Sequence, residues 1–73
     1  LHALRRAVRA TADGRTPAAI RTGGEAVAAL RGDLAAALEA AETRIGARLD
    51  LRVAAGLGFA EIMDRNGRVL DRT

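Results

Sequence analysis

TGGEAVAALRGDLAAALEAAETRIGARLDLRVAA, residues 22–55, is the stretch on which the fold turns. Its apolar positions Val27, Leu30, Leu34, Leu38, Ala41, Ile45, Leu49 and Val53 are 3, 4, 4, 3, 4, 4 and 4 residues apart, a mean step of about 3.7. That spacing places all eight on one stripe of a helix. A step above 3.6 lies nearer the eleven-residue repeat than the heptad, so a left-handed zipper is disfavoured. The expectation is one long, alanine-rich amphipathic helix over about residues 23–55.

The ends of the stretch agree. Thr22, followed three residues later by Glu25, fits a capping box. Glu25 and Asp33 lie early while Arg44, Arg48 and Arg52 lie late, which matches the helix dipole. Gly56 and Gly58 supply conformations that stop a helix. Gly32-Asp33 offers an alternative, a split in which Asp33 caps a second helix. Arg31 and Arg52 project close to the apolar stripe. Either their stems lie beside it, or they pair with acids on another chain.

Working outward, the chain has 73 residues, which bounds it at one small domain. Ala accounts for 18 of them, while Phe occurs once and Trp and Tyr are absent. Such a core suits close approach of helices but buries little area per residue. With no Cys there is no disulfide or thiolate metal site to staple it. An isolated monomer is therefore expected to be marginal, and self-association or a larger parent chain would remedy that. The start at Leu1 and the finish just after an apparent strand read as part of something longer, though a trimmed small protein would read the same. No run of 18 apolar residues occurs, so nothing in these residues spans a membrane.

All twelve basic residues are Arg. Residues 1–22 carry +4, residues 23–57 carry −1 and residues 58–73 balance at zero. Leu1, Leu4 and Val8 sit at helical spacing, which predicts a short basic helix over 1–12 with Arg5, Arg6 and Arg9 on its other side. Those three are candidate anion contacts, because clustered Arg is what counterion-releasing binding uses. A solvated face is the plainer account, and no aromatic residue or DNA-reading motif accompanies them. Asp13-Gly14 breaks the helix, and Thr16-Pro17 reads as an N-cap and first helical residue. Residues 13–22 are therefore expected to be a turn. Arg21-Thr22-Gly23-Gly24 lacks the strand and lysine of a phosphate loop, so helix capping accounts for it.

Beyond residue 55 the period changes. Phe59-Ala60-Glu61-Ile62-Met63 and Arg68-Val69-Leu70-Asp71 flank Asp64-Arg65-Asn66-Gly67. Asn-Gly between apolar runs predicts a β-hairpin over 59–71. Asp64 is placed to accept from the turn amides, and Gly67 to take the left-handed position. A lone hairpin is barely stable in water, so it must lie on the long helix or join strands from elsewhere.

The composition argues against catalysis. There is no Cys, Ser, Lys or Tyr, and the one His is His2, which lacks metal-ligand partners. Asp64, Asn66 and Asp71 are too few and wrongly spaced for a calcium loop. Gly56-Leu57-Gly58 has Glu61 where a dinucleotide fingerprint has its third glycine. Glu39 and Glu42 lie within reach on one helix, but no pocket is apparent to shift either. No catalytic residue, cofactor or metal is expected.

RLDLRVAAGLGFAEIMDRNGRVLDRT, residues 48–73, resembles a passage of bacterial sensor ectodomains of the Cache and PAS-like type. There a long helix leads into a first strand, an Asp-x-x-Gly turn and a second strand. The resemblance implies that the long helix is a dimer-forming stalk and that the ligand pocket lies on later strands, so it assigns no binding residue here.

The expected architecture is thus mainly α: a short N-terminal helix and one long helix, then a small hairpin. The expected role is a non-enzymatic interaction or oligomerisation module within a larger bacterial or phage assembly. Its partner is a protein, another copy of the chain included. Val27, Leu30, Leu34, Leu38, Ile45, Leu49 and Arg52 form the expected contact. The rival expectations are a fragment of a signal-sensing ectodomain and, less favoured, nucleic-acid binding through Arg5, Arg6 and Arg9.

Overall fold

The computed structural model describes residues 2–73. Leu1, the first residue of the N-terminal apolar stripe, lies outside the described residues. The chain runs α1 (His2–Ala12), β1 (Pro17–Thr22), α2 (Gly24–Arg31), α3 (Ala35–Ile45), β2 (Asp50–Val53), β3 (Glu61–Asp64) and β4 (Val69–Arg72). The strands form one four-stranded sheet in the order β2-β1-β3-β4. β2 runs parallel to β1, and β3 antiparallel to both β1 and β4. This is an α+β fold, and it corrects the expectation of a mainly α chain built on one amphipathic helix.

The expected helix over 23–55 is three elements. α2 ends at Arg31, a turn occupies residues 32–34, and α3 begins at Ala35. The Leu34 amide reaches back to the Ala29 carbonyl, and that of Ala35 to the Gly32 carbonyl. So short a turn keeps the stripe on one side, and the apolar period survives the break. Gly46, at φ +83°, ends α3, with its amide and that of Ala47 both donating to the Glu42 carbonyl. The Glu42 carboxylate then accepts from the Leu49 amide at 2.7 Å, which turns the chain into β2.

The capping box does not form. Thr22 closes β1 and is buried, its hydroxyl donating to the Phe59 carbonyl, while Gly23 caps α2 without a side-chain bond. Residues 13–22 are likewise more than a turn, since they contain β1, the strand at the heart of the sheet. Pro17-Ala18-Ala19-Ile20 is a short apolar run bounded by glycines, as suits a buried central strand. Parallel pairing of β1 with β2 needs a long crossover, and α2 with α3 provides it.

The hairpin forms as β3 and β4, and it neither lies on a long helix nor stands alone: β3 pairs with β1 of its own chain. Asp64 Oδ1 accepts from the amides of Asn66 at 2.8 Å and Arg68 at 2.9 Å. Gly67 takes φ +81°.

The helices gather on one face of the sheet. α1 packs against β1, β3, β4 and α3, and α2 against α3 and β2. Ile20, Leu30 and Ile62 are each 1 % exposed or less, and with Leu4, Ala7, Ala41 and Leu49 they form the core. Each of the three large side chains contributes about 1.5–3 kcal/mol of burial. Arg6 ties α1 to β4 by donating to both carboxylate oxygens of Asp71 at 3.2 Å. No helix among the described residues is long and apolar enough to cross a membrane.

Candidate functional site

The residues expected to meet a partner are drawn largely into this chain's own interior. Val27, Leu30 and Leu49 are buried, and Leu34, Leu38 and Ile45 pack against the core from its margin. Only Arg52 stands clear, more than half exposed and 3.9 Å from Asp50. Much of the stripe is thus used in folding, with α2 packed on β2 and α3 on α1 and α2, while Val53 stays exposed and Leu34, Leu38 and Ile45 half-buried.

The arginines of α1 separate into two roles. Arg6 is held by Asp71. The Asp71 carboxyl sits below its ordinary value of 3.8, first because the Arg72 amide donates to it and then because of Arg6. Arg5 and Arg9, one turn apart on α1, rim a groove between α1 and α3 of about 470 Å³. Leu4, Val8 and Ala12 line its α1 wall, and Ala37, Ala40 and Ala41 its α3 wall. Arg44 of α3 adds a third positive charge. No acidic residue lines the groove, and among the described residues none of its three arginines reaches a carboxylate within 4.0 Å.

Sequence reasoning had found Arg5 and Arg9 but not the α3 wall. Ala37, Ala40 and Arg44 recur at helical spacing on α3 beside the leucine stripe, with Ala41 of the stripe at their edge. That signal was legible, but alanine is the commonest residue here and carries little contrast. The wall gains meaning only when α1 is laid beside it.

A second cluster lies on the sheet face away from the helices. Register places Arg52, Arg21, Glu61 and Arg72 side by side across β2, β1, β3 and β4. Glu61 is buried, with Arg72 Nε at 3.0 Å and an Arg21 guanidinium nitrogen at 3.8 Å. The Arg72 guanidinium also lies 5.8 Å from the centre of the Phe59 ring, a cation–π distance. The enclosed carboxylate is hydrogen-bonded through Oε2 to Arg72 and faces Arg21 through Oε1 across 3.8 Å. Of the two acids within reach on α3, Glu39 and Glu42, the second accepts from the Leu49 amide at 2.7 Å. No three His, Cys, Asp or Glu side chains among the described residues are grouped to hold a metal ion.

The α1–α3 groove thus joins an apolar floor to a cationic rim. Comparisons with protein-family models, curated proteins and solved structures return no match to this chain.

Proposed function

We propose that this chain is a non-enzymatic protein-interaction module that seats an acidic amphipathic helix of a partner in the groove between α1 and α3. One observation carries the reading: apolar walls from two helices meet under three arginines that, among the described residues, have no carboxylate within 4.0 Å. Small side chains at Ala12, Ala37 and Ala40, all exposed, let a third helix approach closely. An amphipathic helix docks by laying apolar residues into such a groove. Arg5, Arg9 and Arg44 select acidic flanks and speed encounter. The absence of Cys, Ser, Lys and Tyr supports a role in binding over one in chemistry. Such a docked helix would belong to a larger assembly, or to a second copy of the chain.

The test uses a labelled acidic amphipathic peptide and the same peptide with its acids changed to Gln, each titrated by fluorescence anisotropy. The acidic peptide should bind at least tenfold more tightly, with a gap that narrows as salt rises. Ala40→Glu, on an exposed position, should abolish that preference while leaving the far-UV circular dichroism unchanged. Equal affinity for the two peptides, or indifference to Ala40→Glu, would sink the proposal.

A second reading, a sensor-ectodomain fragment, keeps the hairpin turn at residues 64–67 and the open outer edge of β4 but loses the long stalk helix, which is divided into α2, α3 and β2. It predicts that a chain extended beyond Thr73 adds a strand along β4. Unchanged amide protection across Val69–Arg72 in the longer chain would count against it.

A further inference from the structure

We propose that the end of the sheet opposite the residue 54–60 loop carries a binding site for a small phosphomonoester, held by Arg15, Arg48 and Arg65. These arginines come from three separate segments: the link from α1 to β1, the turn after α3 and the tip of the β3–β4 hairpin. The fold brings them to one cavity of about 310 Å³. Thr11, Thr16 and Gly46 also line it, with Pro17, Ala18, Ile45 and Ala47 as an apolar wall. It shares no lining residue with the α1–α3 groove, so either site can fail alone.

The cavity lining itself is cationic. No carboxylate lines the cavity, and among the described residues none of the three arginines has one within 4.0 Å. Acids flank the cavity without lining it: Asp13 shares a neighbouring hollow with Arg15, and Glu39 and Glu42 share another with Arg48. Asp64 accepts two turn amides, Glu42 the Leu49 amide, and Asp50 faces Arg52. Three arginines around one concavity raise the positive potential there and so attract an anion.

The identity of that anion follows from the donors. Arg presents a planar fork of N–H groups suited to oxyanions. Donors arriving from three segments match the three terminal oxygens of a phosphomonoester, where a carboxylate offers two in one plane. The apolar wall fits a short carbon body. A nucleobase would want an aromatic surface, and the single Phe, Phe59, lies beside Arg72 instead. The volume is at the lower end for small-ligand pockets, which favours a compact ester over a polymer.

The experiment titrates the full chain, followed by amide chemical shifts, with glycerol phosphate, inorganic phosphate, acetate and a single-stranded oligonucleotide. Glycerol phosphate should shift Thr16, Ala18, Ala47, Arg48 and Arg65 together, more tightly than inorganic phosphate and far more tightly than acetate. Arg48→Gln and Arg65→Gln should each weaken it about tenfold, the scale of one charge-assisted hydrogen bond. Arg68→Gln, outside the cavity, should not. Binding should tighten as pH rises through about 6, where the ester gains its second charge. Inorganic phosphate binding as tightly as the ester would mean that the free ion is the ligand and would overturn the ester assignment. Acetate matching the ester, shifts spread over every arginine, or tighter binding of the oligonucleotide would overturn the site.

Discussion

Ile20 distinguishes the sheet from any arrangement in which residues 17–22 are a surface turn. It lies in the central strand, pairs with Leu51 of β2 and Ile62 of β3, and is 0 % exposed. Ile20→Val removes one methyl group from that site, at a cost of about 0.5–1.5 kcal/mol; Ile20→Ala costs about 2–5 kcal/mol. A chain of 73 residues at about 0.05–0.15 kcal/mol per residue has only about 4–11 kcal/mol in total. Ile20→Ala therefore sits near the threshold of unfolding, and the valine variant is the quantitative probe. One kcal/mol shifts Tm by about 4–8 °C in a domain of this size. Val53→Ala, at a position 59 % exposed, is the control, expected within about 0.5 kcal/mol of the parent. Urea and thermal unfolding followed by far-UV circular dichroism measure both, since the chain has no Trp or Tyr to report by fluorescence. If Ile20→Val melts with the Val53→Ala control, β1 is not the centre of the core and the reasoning fails.

Gly32→Ala tests the break between α2 and α3. In a continuous helix it would stabilise by about 1 kcal/mol; here Gly32 has φ −113° and ψ −103°, and an added Cβ would lie 3.2 Å from the Ala28 carbonyl oxygen. The urea midpoint should stay level or fall, and a rise of the helical size would restore the single-helix reading. The Arg6–Asp71 tie should give the fold an acid-sensitive component. Because the folded Asp71 carboxyl is held below its ordinary value of 3.8, its contribution is present above that value and is lost as pH falls through the folded one. Asp71→Asn should therefore melt lower than the parent at pH 7, with the gap closing at about pH 2; an equal gap at both would remove the carboxylate from the account.

Local signals served well where local chemistry was enough. The hairpin turn was legible because Asp64 and Gly67 satisfy it by themselves, whatever surrounds them. The α1 helix was legible too, with Arg5, Arg6 and Arg9 placed on its outer side. At β2 the pattern misled. Ile45, Leu49 and Val53 are four apart, which is one helical turn but also two strand repeats, and Leu51 between the last two carries the alternation. Nothing local separates those periods once the flanking residues are mostly Ala. β1 was missed for a related reason: Thr16-Pro17 followed by two alanines has the composition of a helix start, and only pairing on both sides makes it a strand.

The candidate site shows the same division. Arg5 and Arg9 could be singled out from sequence because charge clustering is local, but their partner Arg44, and the convergence of Arg15, Arg48 and Arg65, depend on how distant segments meet.

The sequence by itself determined the arginine-rich N-terminal helix, the hairpin turn and a composition without Cys, Ser, Lys or Tyr, whereas the one long helix it suggested is divided into α2, α3 and β2. Tertiary structure decided where the stripe is spent. α2 packs on β2, and α3 on α1 and α2, so burial within the chain takes up much of the apolar surface that an isolated helix would have offered to a partner. Apolar residues state a need for burial, and only the fold says against what.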